Sequence, residues 1–389
     1  MFFRSIYFCV LLFITLSCTA RNIKVSLFYS HNIREVLVAP VSGNYIVIAD
    51  SVNTYQLDDE DILKIVRVND SVYVRSLKTE YGTFEKLVIK GQGTDNVIKV
   101  RPLISPVVIR SYNDDLEISI ELDRLMIINN VNIENYVAGV VEAEGGPKAH
   151  PEYYKSQALL CRTFALMNIE RHLPEGFNLC DEVHCQAYKG RCRNNKLILE
   201  ATRSTAGQVI IDRDSVLITA AFHSNCGGQT VNSEHVWLTS KSYLRSVKDP
   251  WCVNSRNAHW EKTITVNQWK KYLKAYGMNI GENIYPGNSF SYKCNTRQLY
   301  YRYGNDSIRF KTIRDDWSLR STFFSIETRG NNLVFRGRGY GHGVGLCQEG
   351  AMQMAKQGKG YKDIIKFYYK DVKIVNIEEL PDLRISNDD

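Results

Sequence analysis

Residues 136–144 read YVAGVVEAE, an apolar and β-branched run that ends in the carboxylate of Glu144. A helical pattern follows at residues 157–163, which read QALLCRT. An acidic side chain at the end of an apolar run is expected to be partly desolvated, and desolvation raises the pKa of a carboxyl group. A carboxyl group that keeps its proton near neutral pH can donate it to a leaving oxygen. Glu144 is therefore the first candidate for a catalytic acid.

Length and composition indicate an ordinary globular protein. The chain has 389 residues, which suggests two or three domains, and it is 44% hydrophobic and 23% charged. The formal net charge of +7 comes from 49 basic and 42 acidic residues spread along the chain. Because the basic residues form no continuous block, the sequence does not indicate a nucleic-acid partner. A mild positive charge is compatible with a polyanionic wall polymer.

Residues 1–20 have the features of a signal peptide. Arg4 supplies a positive start, and residues 6–16 are apolar but too short to span a bilayer comfortably. Cleavage could follow Ala20; alternatively, Cys18 becomes the lipidated first residue of a lipoprotein, and this lipid would be the only attachment to a membrane. We therefore expect an exported protein of the periplasm or cell envelope.

The cysteines allow two interpretations. Eight follow the leader: Cys161, Cys180, Cys185, Cys192, Cys226, Cys252, Cys294 and Cys347. An even number in an exported protein permits disulfides, and one or two bridges with further buried thiols are expected. Cys180, Cys185 and Cys192, with His172 and His184, also have metal-ligand residue types, although the spacing is not Cys-x-x-Cys.

The pattern of apolar residues predicts an α+β fold that is mostly β with several helices. Short strands separated by turn signals, such as residues 42–44 and 91–93, predict a β-rich region over residues 21–105. The first helix is predicted after Pro151, and others near residues 266–276, 348–357 and 361–369. The predicted buried face of the helix after Pro151 consists of Tyr154, Ala158, Cys161, Ala165 and Ile169.

A glycine run at residues 337–348, GRGYGHGVGLCQ, suggests a phosphate loop but has the wrong spacing for one. Alternating glycines instead permit sharp turns and close approach of the backbone to a ligand. His342 in this loop is therefore either a site residue or a side chain that satisfies the backbone of the loop itself.

Four segments together resemble the SpoIID/LytB domain, whose members cleave or bind the glycan strands of bacterial peptidoglycan. They are Tyr-x-x-Gly-Val-Val-x-x-Glu from Tyr136; Lys-x-Gln-Ala-x-x-x-Arg-Thr from Lys155; Cys185-Gln-Ala-Tyr-x-Gly with the later His223-Ser-Asn-x-Gly-Gly and Trp237; and the glycine run with its Gln348. The resemblance covers about residues 106–376. It implies a SpoIID-like domain at residues 106–376, which the small β-rich region at 21–105 precedes and a tail at 377–389 follows.

The resemblance implies a function and its residues. Glu144 matches the catalytic acid of lytic transglycosylases, which cleave the bond between N-acetylmuramic acid and N-acetylglucosamine, leave a 1,6-anhydro end and require no cofactor. Strands without stem peptides would be the substrate. The implied substrate-binding residues are Gln157, Arg162, Gln186, Tyr188, His223, Ser224, His342 and Gln348. A structural zinc, as in some relatives, would be bound by His172, Cys180 and Cys185.

Other functions remain open at this stage. The family includes amidase enhancers, and the chain departs from the family pattern at Gly145, Cys347 and Glu349, so it could be a glycan-binding protein that stimulates an N-acetylmuramoyl-L-alanine amidase. A metal-binding scaffold has only the cysteine cluster in its favour. A hydrolase with a carboxylate pair would need Glu142 on the face of Glu144, as in a strand but not in a helix. A serine hydrolase built on His223 and Ser224 is disfavoured, because adjacent residues of a strand point to opposite faces.

Overall fold

The computed structural model describes residues 21–58, 60–193, 195–281 and 290–380. The predicted leader, with Cys18, lies outside these residues, as does most of the predicted tail. The helices are α1 (Ile133–Gly145), α2 (Pro151–Met167), α3 (Lys196–Ser204), α4 (Glu234–Trp237), α5 (Val266–Ala275), α6 (Phe310–Asp316), α7 (Gln348–Lys356) and α8 (Tyr361–Tyr368). Within the described ranges, no helix is both long and apolar enough to cross a membrane.

The strands outnumber the helices, which confirms the predicted α+β class. They are β1 (Asn22–Leu27), β2 (Glu35–Ala49), β3 (Asn53–Leu57), β4 (Leu63–Val68), β5 (Ser71–Arg75), β6 (Glu80–Phe84), β7 (Lys86–Pro102), β8 (Arg110–Asn113), β9 (Asp115–Glu121), β10 (Arg124–Asn132), β11 (Leu179–Cys180), β12 (Gln208–Ile211), β13 (Phe222–His223), β14 (His259–Thr265), β15 (Tyr300–Tyr303), β16 (Asp306–Arg309), β17 (Phe324–Arg329), β18 (Asn332–Arg338), β19 (Leu346–Cys347) and β20 (Lys373–Asn376).

One large sheet runs through the first half of the chain, in the order β11-β1-β10-β9-β7-β2-β4-β5-β6. It crosses the predicted boundary at residue 105, since β7 pairs with both β8 and β9. Strand β1 at the start of the described chain pairs with β10, which leads directly into α1. The division at residue 105 stays a prediction, but the strands on its two sides share one sheet and one core.

The turn signals inside β2 and β7 do not end these strands. The two strands pair along most of their length, and the register shifts at residues 40–44 instead of breaking. Gly43 has a φ of +80°, and a Cβ on Gly91 would lie 2.5 Å from the side chain of Asn96. Gly43 and Gly91 therefore lie at an irregularity within the paired strands β2 and β7. Sequence alone does not distinguish such an irregularity from a hairpin turn.

The helix predicted after Pro151 is confirmed as α2, although its burial is wider than the expected stripe. Ala158 and Cys161 of the stripe are fully buried, but so are Gln157 and Arg162, which are not part of it. The helix contacts α1, α3, α7, α8 and β12. A helix with neighbours on several sides has no exposed face, so periodicity underestimates its buried surface.

A second core lies in the segment from β14 to β18, for which the sequence indicated no role. Strands β14, β18 and β17 form a three-stranded sheet. Trp269 of α5 is fully buried, with its ring centroid 5.3 Å from that of Phe335 and 5.5 Å from that of Tyr301. Such aromatic packing stabilises this cluster separately from the main core.

Candidate active site

Glu144 lies in the last turn of α1, and a neighbouring loop binds its carboxylate. The backbone N–H of Ala187 donates to Glu144 Oε1 at 3.1 Å. Burial raises the pKa of Glu144, against the opposing effects of the Ala187 hydrogen bond and the charge of Lys189. A carboxyl group with a raised pKa keeps its proton to higher pH, as a general acid must.

Glu142 contacts a different part of the chain. Helix α1 includes both acidic residues, so positions two apart point about 200° away from each other around the axis. The Glu142 carboxylate accepts from the backbone N–H of Arg193 at 3.2 Å and lies 3.4 Å from Cys192 Sγ. The helical arrangement therefore argues against a catalytic pair of Glu142 and Glu144.

Gln348 connects the glycine run to Glu144. Its side-chain Nε2 donates to the backbone carbonyl of Glu144 at 3.1 Å, and Gln348 is 8% exposed. It is the first residue of α7, directly after Cys347, whose sulfur accepts from the backbone N–H of Gly350. The first and last of the four family segments thus meet at the predicted acid.

Gln186 and Tyr188 flank Ala187 and fix the loop that binds Glu144. Gln186 Oε1 accepts from the hydroxyl of Tyr136 at 3.2 Å, and the hydroxyl of Tyr188 donates to Asn129 at 3.1 Å. The rings of Tyr136 and Tyr188 lie 4.9 Å apart. Because Tyr188 is fully buried, its ring presents no open face to a sugar in this structure. Gln186 Nε2 is buried and has no partner among the described residues.

Arg162 and Gln157 of α2 are also buried. Arg162 Nε donates to Glu134 Oε1 at 2.9 Å, and its Nη1 donates to the backbone carbonyl of Gln208 at 3.0 Å. This bidentate pair with Glu134 joins α2 to the start of α1. Gln157 Nε2 lies 3.6 Å from Cys161 Sγ. The substrate contacts predicted for both residues stay predictions, and the structure gives Arg162 a clear packing role.

His223 of β13 and His342 of the glycine run lie close together, with their ring centroids 5.3 Å apart. His223 Nδ1 donates to the carbonyl of Val344 at 3.1 Å, and His342 Nε2 donates to that of Phe222 at 2.9 Å. Burial lowers the pKa of His223 well below its usual range. His342 as a residue is half-buried, and desolvation by the surrounding atoms lowers the pKa of its ring to about 4. Both rings are therefore neutral at physiological pH.

Of the two roles open for His342, the hydrogen bonds favour support of the loop. Its Nδ1 accepts from the backbone N–H of Val344, two residues further along the glycine run. Ser224 is half-buried, and its backbone carbonyl accepts from the N–H of Glu349. The His223 ring bonds to Val344, so these contacts give no support to a nucleophile–base pair with Ser224.

Trp237 is a further candidate for substrate binding, and it was not among the residues that the resemblance implied. It is 39% exposed, and its ring lies 5.4 Å from that of His342. It borders a cavity of about 400 Å³ together with Arg171 and Lys241. A half-exposed tryptophan beside basic residues can stack on a pyranose ring, and its position at the end of a family motif was the available signal.

The predicted zinc ligands come together, and His184 joins them. His172, Cys180, His184 and Cys185 each offer a donor atom within 4.8 Å of the others. His172 Nε2 lies 3.5 Å from Cys185 Sγ, while its Nδ1 pairs with the carboxylate of Glu175. Two imidazoles and two thiols are a zinc donor set, and a carboxylate behind a histidine is the usual means of orienting such a ligand.

All eight cysteines after the leader are free and buried among the described residues, so the expected bridges do not form in this structure. Cys185 directly precedes Gln186 and Ala187, so a metal bound by the four residues His172, Cys180, His184 and Cys185 would constrain the loop that binds Glu144.

Comparison with known proteins identifies the family of the chain. The family model described as "SpoIID: Stage II sporulation protein" matches residues 121–211, which include α1, α2 and the four possible zinc ligands from His172 to Cys185. The stage II sporulation protein D of Bacillus subtilis (strain 168) is 31% identical over 77% of this chain and 86% of its own length. An uncharacterized protein of Brachyspira hyodysenteriae is 32% identical over 65% of this chain and 69% of its own.

A more distant relative has a different name. The amidase enhancer of Bacillus subtilis (strain 168) is 25% identical over 59% of this chain, which corresponds to 39% of that longer protein. The similarity to the sporulation protein extends over most of both chains, whereas this one is partial. The chain therefore belongs to the stage II sporulation protein D family.

Proposed function

We propose that the protein is an exported lytic transglycosylase that cleaves the glycan strands of peptidoglycan, with Glu144 as its catalytic acid. Family membership and the similarity to an amidase enhancer support a role related to the cell wall. The observation that carries the finer proposal is the environment of Glu144, a desolvated carboxyl group with a raised pKa and one backbone N–H donor.

The proposed reaction uses one carboxyl group twice. Protonated Glu144 donates its proton to the glycosidic oxygen as the bond from this oxygen to C1 of N-acetylmuramic acid breaks. The resulting carboxylate accepts the proton of the C6 hydroxyl while O6 bonds to C1. The products are a free N-acetylglucosamine hydroxyl and a 1,6-anhydro end, no water is consumed, and Glu144 is protonated again. Hydrolytic glycosidases, by contrast, usually use two carboxylates.

The neighbours of Glu144 suit both halves of this cycle. Burial favours the protonated acid at the start, whereas the N–H of Ala187 stabilises the carboxylate once the proton has left. The Gln348 amide holds the backbone carbonyl of Glu144 itself. Zinc bound by His172, Cys180, His184 and Cys185 would be structural, because four protein ligands leave no open position.

The decisive experiment incubates purified glycan strands without stem peptides with three proteins, namely the wild type, Glu144→Gln and Glu142→Gln. Mass spectrometry of the products should show anhydro-muramic ends for the wild type and for Glu142→Gln. Glu144→Gln should lose roughly 10²- to 10⁴-fold in rate, the usual contribution of general acid–base catalysis. Unchanged anhydro-product formation by Glu144→Gln would overturn the assignment.

The second candidate function is a non-catalytic glycan-binding protein that enhances a partner amidase. The similarity to the amidase enhancer favours it. The same samples distinguish the two functions when an amidase is added with intact peptidoglycan. Intact strands with every variant, together with equal amidase stimulation by the wild type and Glu144→Gln, would favour the enhancer.

A further inference from the structure

A second cluster of metal-ligand side chains lies apart in sequence from the first. Cys226, Asp249, Cys252 and Cys347 are all fully buried, and each offers a donor atom within 4.8 Å of the others. We propose that these four residues form a closed binding site for a thiophilic divalent cation of the zinc class. Three cysteine sulfurs and one carboxylate in a buried pocket supply four donors of the kinds that zinc binds, and thiolate ligands select such a cation.

The distances agree with a tetrahedral site. Cys226 Sγ lies 3.4 Å from Cys252 Sγ and 3.2 Å from Asp249 Oδ2. With zinc–sulfur bonds of about 2.3 Å, neighbouring sulfurs of a tetrahedron lie roughly 3.8 Å apart, so small shifts of the side chains would admit the ion.

The donors are held by hydrogen bonds of their own. The backbone N–H of Cys226 donates to Cys347 Sγ at 3.2 Å, and that of Trp251 donates to Asp249 Oδ1 at 2.9 Å. The hydroxyl of Tyr368 donates to Asp249 Oδ2 at 2.9 Å. Backbone and hydroxyl donors of this kind orient ligands around a metal and partly offset the charge of thiolates.

A disulfide is the competing state of this cluster, because Cys226 and Cys252 are neighbours in an exported protein. A bridge between them would use two of the four donors and leave Cys347 and Asp249 buried beside it. Convergence of a third thiol and a carboxylate on the same point favours the cation.

The cation would connect parts of the chain that support the candidate active site. Cys226 follows β13, Asp249 and Cys252 lie in the next long loop, and Cys347 ends β19. Cys347 directly precedes Gln348, whose side chain bonds to the backbone of Glu144. The bound ion would thus fix the start of α7 and, through Gln348, the end of α1.

Metal analysis of the full chain tests the proposal. The wild type and variants are expressed with added Zn²⁺, purified under reducing conditions and analysed by mass spectrometry for bound zinc. Cys252→Ser should hold about one equivalent less than the wild type. Cys294→Ser, which changes a buried cysteine outside both clusters, should hold as much as the wild type. Zinc content in Cys252→Ser equal to that of the wild type would overturn the proposal.

A measurement on the wild type alone tests the proposal even when Cys252→Ser does not fold. Zinc-loaded protein is treated with a thiol-alkylating reagent, with and without a strong chelator, and each cysteine is mapped by peptide mass spectrometry. Chelation should increase labelling of Cys226, Cys252 and Cys347 and leave the buried Cys161 and Cys294 protected. Labelling of the three that does not depend on the chelator, or a Cys226–Cys252 disulfide in the protein as isolated, would contradict a metal site.

Discussion

The side-chain amide of Gln348 donates to the backbone carbonyl of Glu144 across 204 positions of sequence, at 3.1 Å. Backbone carbonyls in the last turn of a helix have no partner within the helix, and this bond satisfies one of them at the end of α1. It also fixes the residue that carries the candidate acid. Gln348, the last residue of the glycine run, therefore helps to fix the position of Glu144.

Replacement of Gln348 by Ala should weaken the position of Glu144. We expect a loss of about 1 kcal/mol of unfolding free energy, typical of one hydrogen bond, and a larger relative loss in the rate of anhydro-product formation than in glycan affinity. Denaturant unfolding, product analysis and a binding assay measure the three quantities. Gln357→Ala, at the exposed residue that directly follows the same helix, is the matched control. Equal losses of rate and affinity would instead make Gln348 a substrate-binding residue.

Local signals made part of this site predictable from sequence. Pro151 at the first position of α2 and the spacing of Ala158 and Cys161 identify that helix without a structure. The apolar run before Glu144 correctly indicated a desolvated carboxyl group. These features depend on residues near one another in the chain.

Contacts between distant segments were not predictable in this way. The sequence around Arg162 does not indicate that its guanidinium will pair with the carboxylate of Glu134, which lies 28 positions earlier. The proposed second metal site brings Cys226 to Cys347 over 121 positions, so no short Cys-x-x-Cys spacing in the sequence indicates it.

Cys347 and Glu349, which depart from the family pattern, both have polar contacts in this structure. Cys347 is buried beside Cys226, Asp249 and Cys252, and Glu349 Oε1 accepts from the side chain of Asn257 at 2.8 Å. Asn225 Nδ2 donates to Glu349 Oε2 at 2.6 Å. These substitutions therefore do not require a change in the chemistry at Glu144.

The pair of Arg162 and Glu134 should be a major source of stability. Arg162→Ala leaves the Glu134 carboxylate without its cation, and breaking a buried pair of this kind costs about 3 kcal/mol of unfolding free energy. Denaturant unfolding of both single variants and the double variant gives the coupling energy, with the exposed Arg203→Ala as control. Wild-type stability of Arg162→Ala combined with weaker glycan binding would show that Arg162 acts on substrate.

Two glycines of α1 should respond in opposite ways to replacement by alanine. A Cβ on Gly139 would lie 2.3 Å from the carbonyl oxygen of Gly190 and 2.7 Å from the ring of Tyr188, so Gly139→Ala must push α1 away from the loop that binds Glu144. We expect a cost of about 1–3 kcal/mol, as for other overpacked sites. A Cβ on Gly145 would lie 3.4 Å from the ring of Tyr153, an acceptable contact.

Gly145→Ala is therefore the matched control, with neutral or slightly increased stability because alanine favours the helix. Thermal unfolding compares the two variants, and product analysis follows the expected loss of activity in Gly139→Ala. Equal stability of both variants would contradict the close packing of α1 against residues 188–190.

The raised pKa of Glu144 predicts how its replacement changes stability with pH. Below the ordinary pKa of 4.5, the carboxyl group is protonated in both folded and unfolded chains and has no effect. As the pH rises, the unfolded chain releases this proton first, so the wild type loses stability until the pH passes the raised pKa of the folded state. Glu144→Gln keeps an acceptor for the Ala187 N–H and has no proton to lose. Its stability relative to the wild type should therefore increase across this window and then remain constant.

Glu117 supplies a control of opposite sign. Burial raises its pKa, but hydrogen bonds from Lys86 and Lys24 outweigh this effect and lower the pKa overall. A carboxyl group with a lowered pKa stabilises the fold above its unfolded-state pKa and loses this contribution as the pH falls. Glu117→Gln should therefore be less stable than the wild type at neutral pH, with a difference that disappears in acid. Thermal unfolding from acid well below the ordinary pKa of 4.5 up to pH 8 measures both variants. Parallel curves for Glu144→Gln and the wild type would mean that Glu144 is not desolvated and is a poor candidate for the acid.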